Sequence, residues 1–280
     1  MMEKGKRPSA DTPPANKNGF SLISDEKLRE LYTNLLRCRM VERHAAGLRN
    51  GSKHVRELGF AAAFEAARVG VAADLLPDDS VISLKDDFLI GLLTGAPLAE
   101  VFNPQSGAGL NGEDASRARM HSLLGVSLIN KQAKNRRVGV VFSNEGRSSL
   151  WQDSLHAAEA HGLPLIFVQP EDPEPGSKLT PKAKAADERS VGYLPHIGVD
   201  GNDLVAVYRV AHEAIDRARR GRGPTLIECM TFKLGKRHRA TNSVANMENY
   251  LENKGLMSFT LKREITTSIA AELTALVNSR

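Results

Sequence analysis

Apolar residues recur along this chain with two periods, and the change from one to the other marks its elements. Leu28, Leu31, Leu35, Leu36 and Met40 fall at three- and four-residue spacing, and the helical pattern continues through Cys38 to Arg49. Ser24-Asp25-Glu26 offers that helix a cap and early acids, and Asn50-Gly51 stops it. Leu58 to Leu76 is dominated by alanine, with Val69 and Val71, so the helix it predicts can lie close to its neighbours. Val81-Ile82-Ser83-Leu84, Val138-Gly139-Val140-Val141-Phe142 and Leu165-Ile166-Phe167-Val168-Gln169 are short β-branched or apolar runs, the signature of buried strands. Between the last two, Ser148 to Ala160 puts Leu150, Leu155 and Ala158 near one helical face, and His161-Gly162-Leu163-Pro164 ends it. Strand, crossover helix and strand make a right-handed βαβ unit, and the rest of the chain is organised around it.

The flanking segments extend the same alternation. Phe88 to Thr94 and Pro97 to Phe102 predict two short helices, Asn103 to Arg119 a polar loop, and Met120 to Lys131 another helix. Pro173 to Arg189 is a polar connection with an Ala-rich piece. Val199 then ends a strand, Gly201 turns the chain, and Asp203 starts a helix from Leu204 to Arg220 that buries Val207, Val210, Ala211, Ala214 and Ala218. Gly223-Pro224 opens a further strand through Phe232. Glu248 to Leu256 follows, and Leu261, Ile265, Ile269, Leu273 and Leu276 pattern a last helix over Phe259 to Val277. The fold class is therefore α/β, a parallel sheet flanked by helices. Residues 1–19 hold almost nothing apolar and read as a disordered leader, with residues 20–280 as one domain.

Composition narrows the function. With 41% hydrophobic and 25% charged residues, 280 residues can bury a substantial core. The net charge of +5 is spread among acids, and aromatics make up 5% of the chain, which argues against nucleic-acid binding. Arg217 to Arg222 is the densest basic run, and at the end of a predicted helix it complements the dipole. Cys38 and Cys229 have no metal spacing, so a reducing cytoplasm is expected. No apolar run approaches the ~20 residues of a membrane span, so no membrane association is expected.

The chemistry-bearing candidates follow the strands of the βαβ unit. Ligands of open parallel sheets bind where the strands' carboxyl ends meet their loops. Ser143-Asn144-Glu145-Gly146 and Pro170-Glu171-Asp172-Pro173 both belong at that edge. Glu145 and Asp172 could give a magnesium ion two hard oxygen ligands, leaving its other positions to water and a phosphate; the alternative is a pair of solvated loop acids.

The run Val138 to Asp172 resembles the cofactor-binding unit of thiamin diphosphate enzymes. Asn144-Glu145-Gly146 stands where those enzymes carry Gly-Asp-Gly, and Glu171-Asp172 where they carry Asn-Asn. Phe64 to Ala73, Leu76 to Asp79, Gly95 to Val101 and His196 to Asp203 resemble, more narrowly, the alpha subunit of the decarboxylating component of 2-oxo acid dehydrogenase complexes, such as pyruvate dehydrogenase. The chain is similar to a divergent member. Leu84-Lys85 replaces the family's Tyr-Arg pair that grips the diphosphate, and Lys85 brings a point charge in place of a planar fork. The loop after Phe102 is much shorter than the family's ring-covering segment. Gly125-Val126-Ser127-Leu128-Ile129 resembles the small-residue start of the helix after it.

What the resemblance implies is a thiamin diphosphate-binding fold with thiamin diphosphate and magnesium as cofactors. The cofactor would be held by Lys85, Gly125, Glu145, Gly146 and Asp172, with the metal on Glu145 and Asp172. His238 would be the catalytic histidine; Arg237 takes the family position when no gap is allowed, and a solvent-exposed role is the other reading of His238. The implied activity is oxidative decarboxylation of a 2-oxo acid with acyl transfer to a lipoyl group. The implied partners are a beta-type subunit, in an α2β2 assembly or a homodimer, and a lipoyl-bearing acyltransferase. The alternative is a non-catalytic scaffold or regulatory relative that has lost the cofactor.

Overall fold

The structure, a computed structural model, describes residues 23–48, 64–85, 87–101, 112–143, 148–171, 194–230 and 242–278. In chain order the elements are α1 (Asp25–Leu48), α2 (Glu65–Ala72), β1 (Ser80–Ser83), α3 (Phe88–Leu93), α4 (Leu98–Val101), α5 (Glu113–Ala133) and β2 (Gly139–Phe142). They continue with α6 (Ser149–Ala160), β3 (Leu165–Glu171), β4 (His196–Asp200), α7 (Leu204–Arg219), β5 (Thr225–Met230), α8 (Ser243–Asn253) and α9 (Phe259–Asn278).

The five strands among the described residues are all parallel, in the order β1-β2-β3-β5-β4. The chain steps from β1 through β3 in one direction, then passes to the far edge at β4 and returns to β5. That reversal lies between β3 and β5, and it opens the crevice at the strands' carboxyl ends where ligands of such sheets bind. β2 and β3 are buried on both faces, which explains their unbroken apolar runs.

Strand alternation divides the core in two. Val141, Leu165, Phe167 and Leu226 pack under α5 and α6 with Trp151 and Leu155. Val140, Phe142, Ile166, Val168 and Ile227 pack on the other face, under α2 and α7. Trp151 meets Phe167 edge-on, with ring centroids 5.1 Å apart. A third cluster joins the outer sides of α2 and α7 to α1, α8 and α9. The alanine-rich stretch makes this close layering possible: a Cβ at Gly70 would lie 2.7 Å from Val207 Cγ1 and 3.0 Å from the Tyr208 nitrogen.

Helix starts follow local chemistry. Ser148, Asp203 and Asn242 each sit in extended backbone and accept a hydrogen bond from a first-turn N–H, at Trp151, Ala206 and Val244. Two helix starts come earlier than expected: α8 begins at Ser243, ahead of Glu248, and α5 begins at Glu113, inside the segment read as a loop. In α5, Glu113 and Asp114 favour the N-terminus, and Ala115 with Met120 and Leu123 supplies the buried face. Cys38 and Cys229 are free, and burial pushes both thiols above their ordinary range, so neither is a ready metal ligand or nucleophile. Among the described residues, no helix is long and apolar enough to cross a membrane.

Candidate functional site

At the carboxyl edge of the sheet, the end of β1 is fixed from several sides. Leu84 extends the β1 ladder, its N–H donating to the Phe142 carbonyl at 3.0 Å. Ser116 Oγ, from the first turn of α5, donates to the Leu84 carbonyl at 2.7 Å, and Arg119 Nη1 reaches the same oxygen at 3.3 Å. On the other side Arg68 Nε donates to Asp87 Oδ2 at 2.6 Å, each of these side chains 1% exposed. Asp87 Oδ1 also caps α3 by accepting from the Leu89 N–H. A buried charge pair with its other valences satisfied gives one geometry and penalises alternatives. Lys85 stands between these clamps and is exposed. Leu84 points inward, into the cluster under α5 and α6.

A second polar group crosses the carboxyl half of the sheet. Gln169 on β3 pairs in register with Glu228 on β5 and donates to its Oε1 at 2.6 Å. His196 Nε2 on β4 lies 2.5 Å from Glu228 Oε2. Gln169 and Glu228 follow Phe167 and Leu226 by two residues, so they share the α5–α6 face of the sheet. The buried Gln169 Oε1 and Ser83 Oγ are without a hydrogen-bond partner among the described residues.

Three further carboxyl-edge segments divide as follows. β2 ends at Phe142 and is described through Ser143; β3 is described through Glu171; β5 through Met230. Glu145, Gly146, Asp172 and His238, all named from the sequence, lie outside the described residues. Glu145 follows β2 by three positions and Asp172 follows β3 by one, and these two strands are adjacent in register. Gly125 lies elsewhere. It is on the exposed side of α5, twelve positions past Glu113 and so about 18 Å along the axis. Its neighbours Leu123 and Ser127 face Gly139, at the opposite end of β2. Among the described residues, no group of three or more His, Cys, Asp or Glu side chains could hold a metal ion.

Sequence reasoning missed a buried charge cluster behind the β1 clamp. Glu65 of α2 is paired with Arg39 of α1 and accepts from Ser243 at the start of α8. Glu42 of α1 is buried beside them, and its pKa rises to about 7. Burial is the main cause; Glu65 and Asp87 add to it, while Arg68 and Arg39 oppose it. A lone arginine inside Glu65-Ala66-Ala67-Arg68-Val69-Gly70-Val71-Ala72 was the available signal, since a charge flanked by alanine and valine must find a partner.

The profile of the dehydrogenase E1 component family matches residues 36–243. The chain belongs to that family. The match includes β1, the βαβ unit and the turn at Asp203, so the carboxyl edge of this E1-family sheet falls within it. Among similar proteins is the pyruvate dehydrogenase E1 component subunit alpha of Staphylococcus aureus, 27% identical over 293 residues that cover 91% of this chain and 78% of that one. The alpha subunit of acetoin:2,6-dichlorophenolindophenol oxidoreductase from Bacillus subtilis is 30% identical over 248 residues, covering 78% of this chain and 73% of its own. A solved structure of a putative thiamin diphosphate-dependent enzyme from Mycobacterium smegmatis is 18% identical with a TM-score of 0.39. It covers 59% of this chain, which in turn covers 31% of it.

Proposed function

We propose that this E1-family chain is the alpha-type subunit of a 2-oxo acid dehydrogenase decarboxylating component, binding thiamin diphosphate with magnesium at the carboxyl edge of its sheet. The carrying observation is Lys85, exposed at the end of β1 and flanked by the Arg68–Asp87 pair, Ser116 and Arg119. An ammonium whose backbone is fixed before binding offers a point charge to a diphosphate at little ordering cost. Glu145 and Asp172 would hold the magnesium, because they follow adjacent strands about 4.8 Å apart, with Gly146 allowing close approach of the backbone. The bound cofactor would supply the electron sink that lets a 2-oxo acid lose carbon dioxide. This chain's residues would bind and orient it, and His238 would act as the proton-handling or substrate-orienting group near it.

A beta-type subunit is the proposed partner, as the alpha-subunit relatives suggest. On α5, Val126, Leu128 and Ile129 are exposed beside Gly125 and Ser122, an apolar and small-residue face that would be covered in an α2β2 assembly. Gly125 serves that face in this reading. A lipoyl-bearing acyltransferase would then take the acyl group.

One observation favours the second reading, a non-catalytic relative. Leu84 is buried in the core where the resembling family carries a hydroxyl for the diphosphate. Reconstitution with a beta-type chain, thiamin diphosphate and magnesium separates the two readings. Carbon dioxide released from a 2-oxo acid, and lost in Glu145→Ala, supports the enzyme; a stable complex that binds no cofactor and releases none supports the scaffold.

A further inference from the structure

The opposite edge of the sheet, where the strands begin, has a chemistry of its own. Four described connections meet there: residues 73–79, 131–138, 161–164 and 217–224. They are held together by Arg219 Nη1 donating to the Arg136 carbonyl at 3.1 Å, by Lys131 donating to the His161 carbonyl, and by Arg137 with Asp78 at 2.8 Å. Together they carry eight Lys and Arg against three Asp, a surplus equal to the whole chain's +5, so the rest of the sequence is neutral on balance.

The bland account is that basic residues gather where α5, α6 and α7 end and offset their dipoles. It covers part of the set. Asp79 is bound by Arg219, Asp78 by Arg137, and Asp74 by Lys27 and His212, and Arg217 donates to the Arg222 carbonyl. Lys134, Arg136 and Arg222 are left exposed, with no side-chain hydrogen bond or ion pair among the described residues.

The backbone at two of these positions adds an independent observation. Lys134 and Arg136 have φ of 51° and 62°, and they are the two non-glycine residues with positive φ among the described residues. Lys134 is the left-handed cap of α5, a position that suits glycine or asparagine. The chain keeps long cations where glycine would be more comfortable, and such departures gather at binding surfaces.

We propose that this edge is a docking surface for a carboxylate-rich face of a partner protein. Lys134, Arg136 and Arg222 would receive the carboxylates. Leu76, 57% exposed on the neighbouring turn, would give the contact its apolar point. No aromatic residue occurs in the four connections, so they lack the stacking platforms of a single-stranded nucleic-acid site. A partner here would leave the carboxyl edge, with Lys85, open. Docking at this edge is independent of cofactor binding.

The test uses the full chain with immobilised poly-L-glutamate as the acidic probe, and a DNA duplex of matched charge beside it. The variant Lys134→Gly/Arg136→Gly/Arg222→Gly removes three charges while relieving two strained positions, so misfolding does not explain a loss. Its melting temperature should be unchanged or higher, and its affinity for polyglutamate about tenfold lower or weaker still. A control that removes three exposed cations elsewhere, Arg29→Gln/Arg209→Gln/Arg263→Gln, should lose about twofold. Equal losses in the two variants would overturn the proposal. So would DNA binding tighter than polyglutamate at the same salt, or salt-sensitive self-association abolished by the first variant, which would assign the edge to a nucleic acid or to a second copy.

Discussion

Glu42→Gln tests the buried charge cluster with a sign as well as a magnitude. Glu42 is 7% exposed, and burial raises its pKa from 4.5 to about 7, with Glu65 and Asp87 contributing and Arg68 and Arg39 opposing. The folded protein therefore holds this proton more tightly than the unfolded chain. Below pH 4.5 both states are protonated and the group costs nothing. As pH rises through 7, the unfolded chain has already released the proton, and the folded state must ionise a buried carboxyl. The full penalty corresponds to about 3 kcal/mol at alkaline pH. Glutamine keeps the shape and never ionises, so the variant should gain about 1 kcal/mol over the parent at pH 5 and about 3 kcal/mol at pH 8, by urea unfolding across that range. A gain that differs by less than about 1 kcal/mol between the two pH values, or a loss at pH 8, would refute the assignment of Glu42 as the group held neutral by this cluster.

Four other substitutions probe the framework that positions the site. Arg68→Met leaves Asp87 buried without its cation and should cost about 3–5 kcal/mol by urea unfolding. Adding Asp87→Ser, which can still cap α3, should recover more than half of that cost; a double variant as unstable as the single would contradict the pair's role. Gly70→Ala should lose about 1–3 kcal/mol because its Cβ meets Val207 and the Tyr208 backbone, whereas Gly125→Ala, with open space around it, should be neutral or gain about 0.5–1 kcal/mol; matched melting temperatures would refute this contrast.

The framework was legible because its signals are local. Val138–Phe142, Ser148–Ala160 and Leu165–Gln169 contain their own strand, cap and stop residues, and the parallel β2–α6–β3 unit is found there. Val199, Gly201 and Asp203 likewise mark strand end, turn and helix cap, and the observed α7 starts at Leu204. The start of α5 was missed because Gly, Asn, Ser and Asp dominate Asn103 to Arg119, and packing against β1 and β2 outweighs that weak propensity from Glu113 onward. The start of α8 at Ser243 was missed in the same way, its cap Asn242 being one polar residue among several. The clamp around Lys85 was illegible for a different reason. Arg68 and Asp87 are nineteen residues apart and Ser116 lies thirty-two beyond Leu84, and nothing in a single sequence announces which distant polar residues will meet.

The measurement that bears most directly on the account is calorimetric titration of thiamin diphosphate with magnesium into the protein, alone and with a beta-type chain, for the parent and for Lys85→Ala. Lys85 is exposed, so this substitution should leave the melting temperature within about 1 °C of the parent. The account predicts magnesium-dependent binding by the parent that weakens about tenfold or more in Lys85→Ala, the loss of one phosphate-directed charge. Binding of equal strength by parent and variant would contradict the assignment of Lys85. No binding by the parent, with the partner present, would contradict the cofactor site itself.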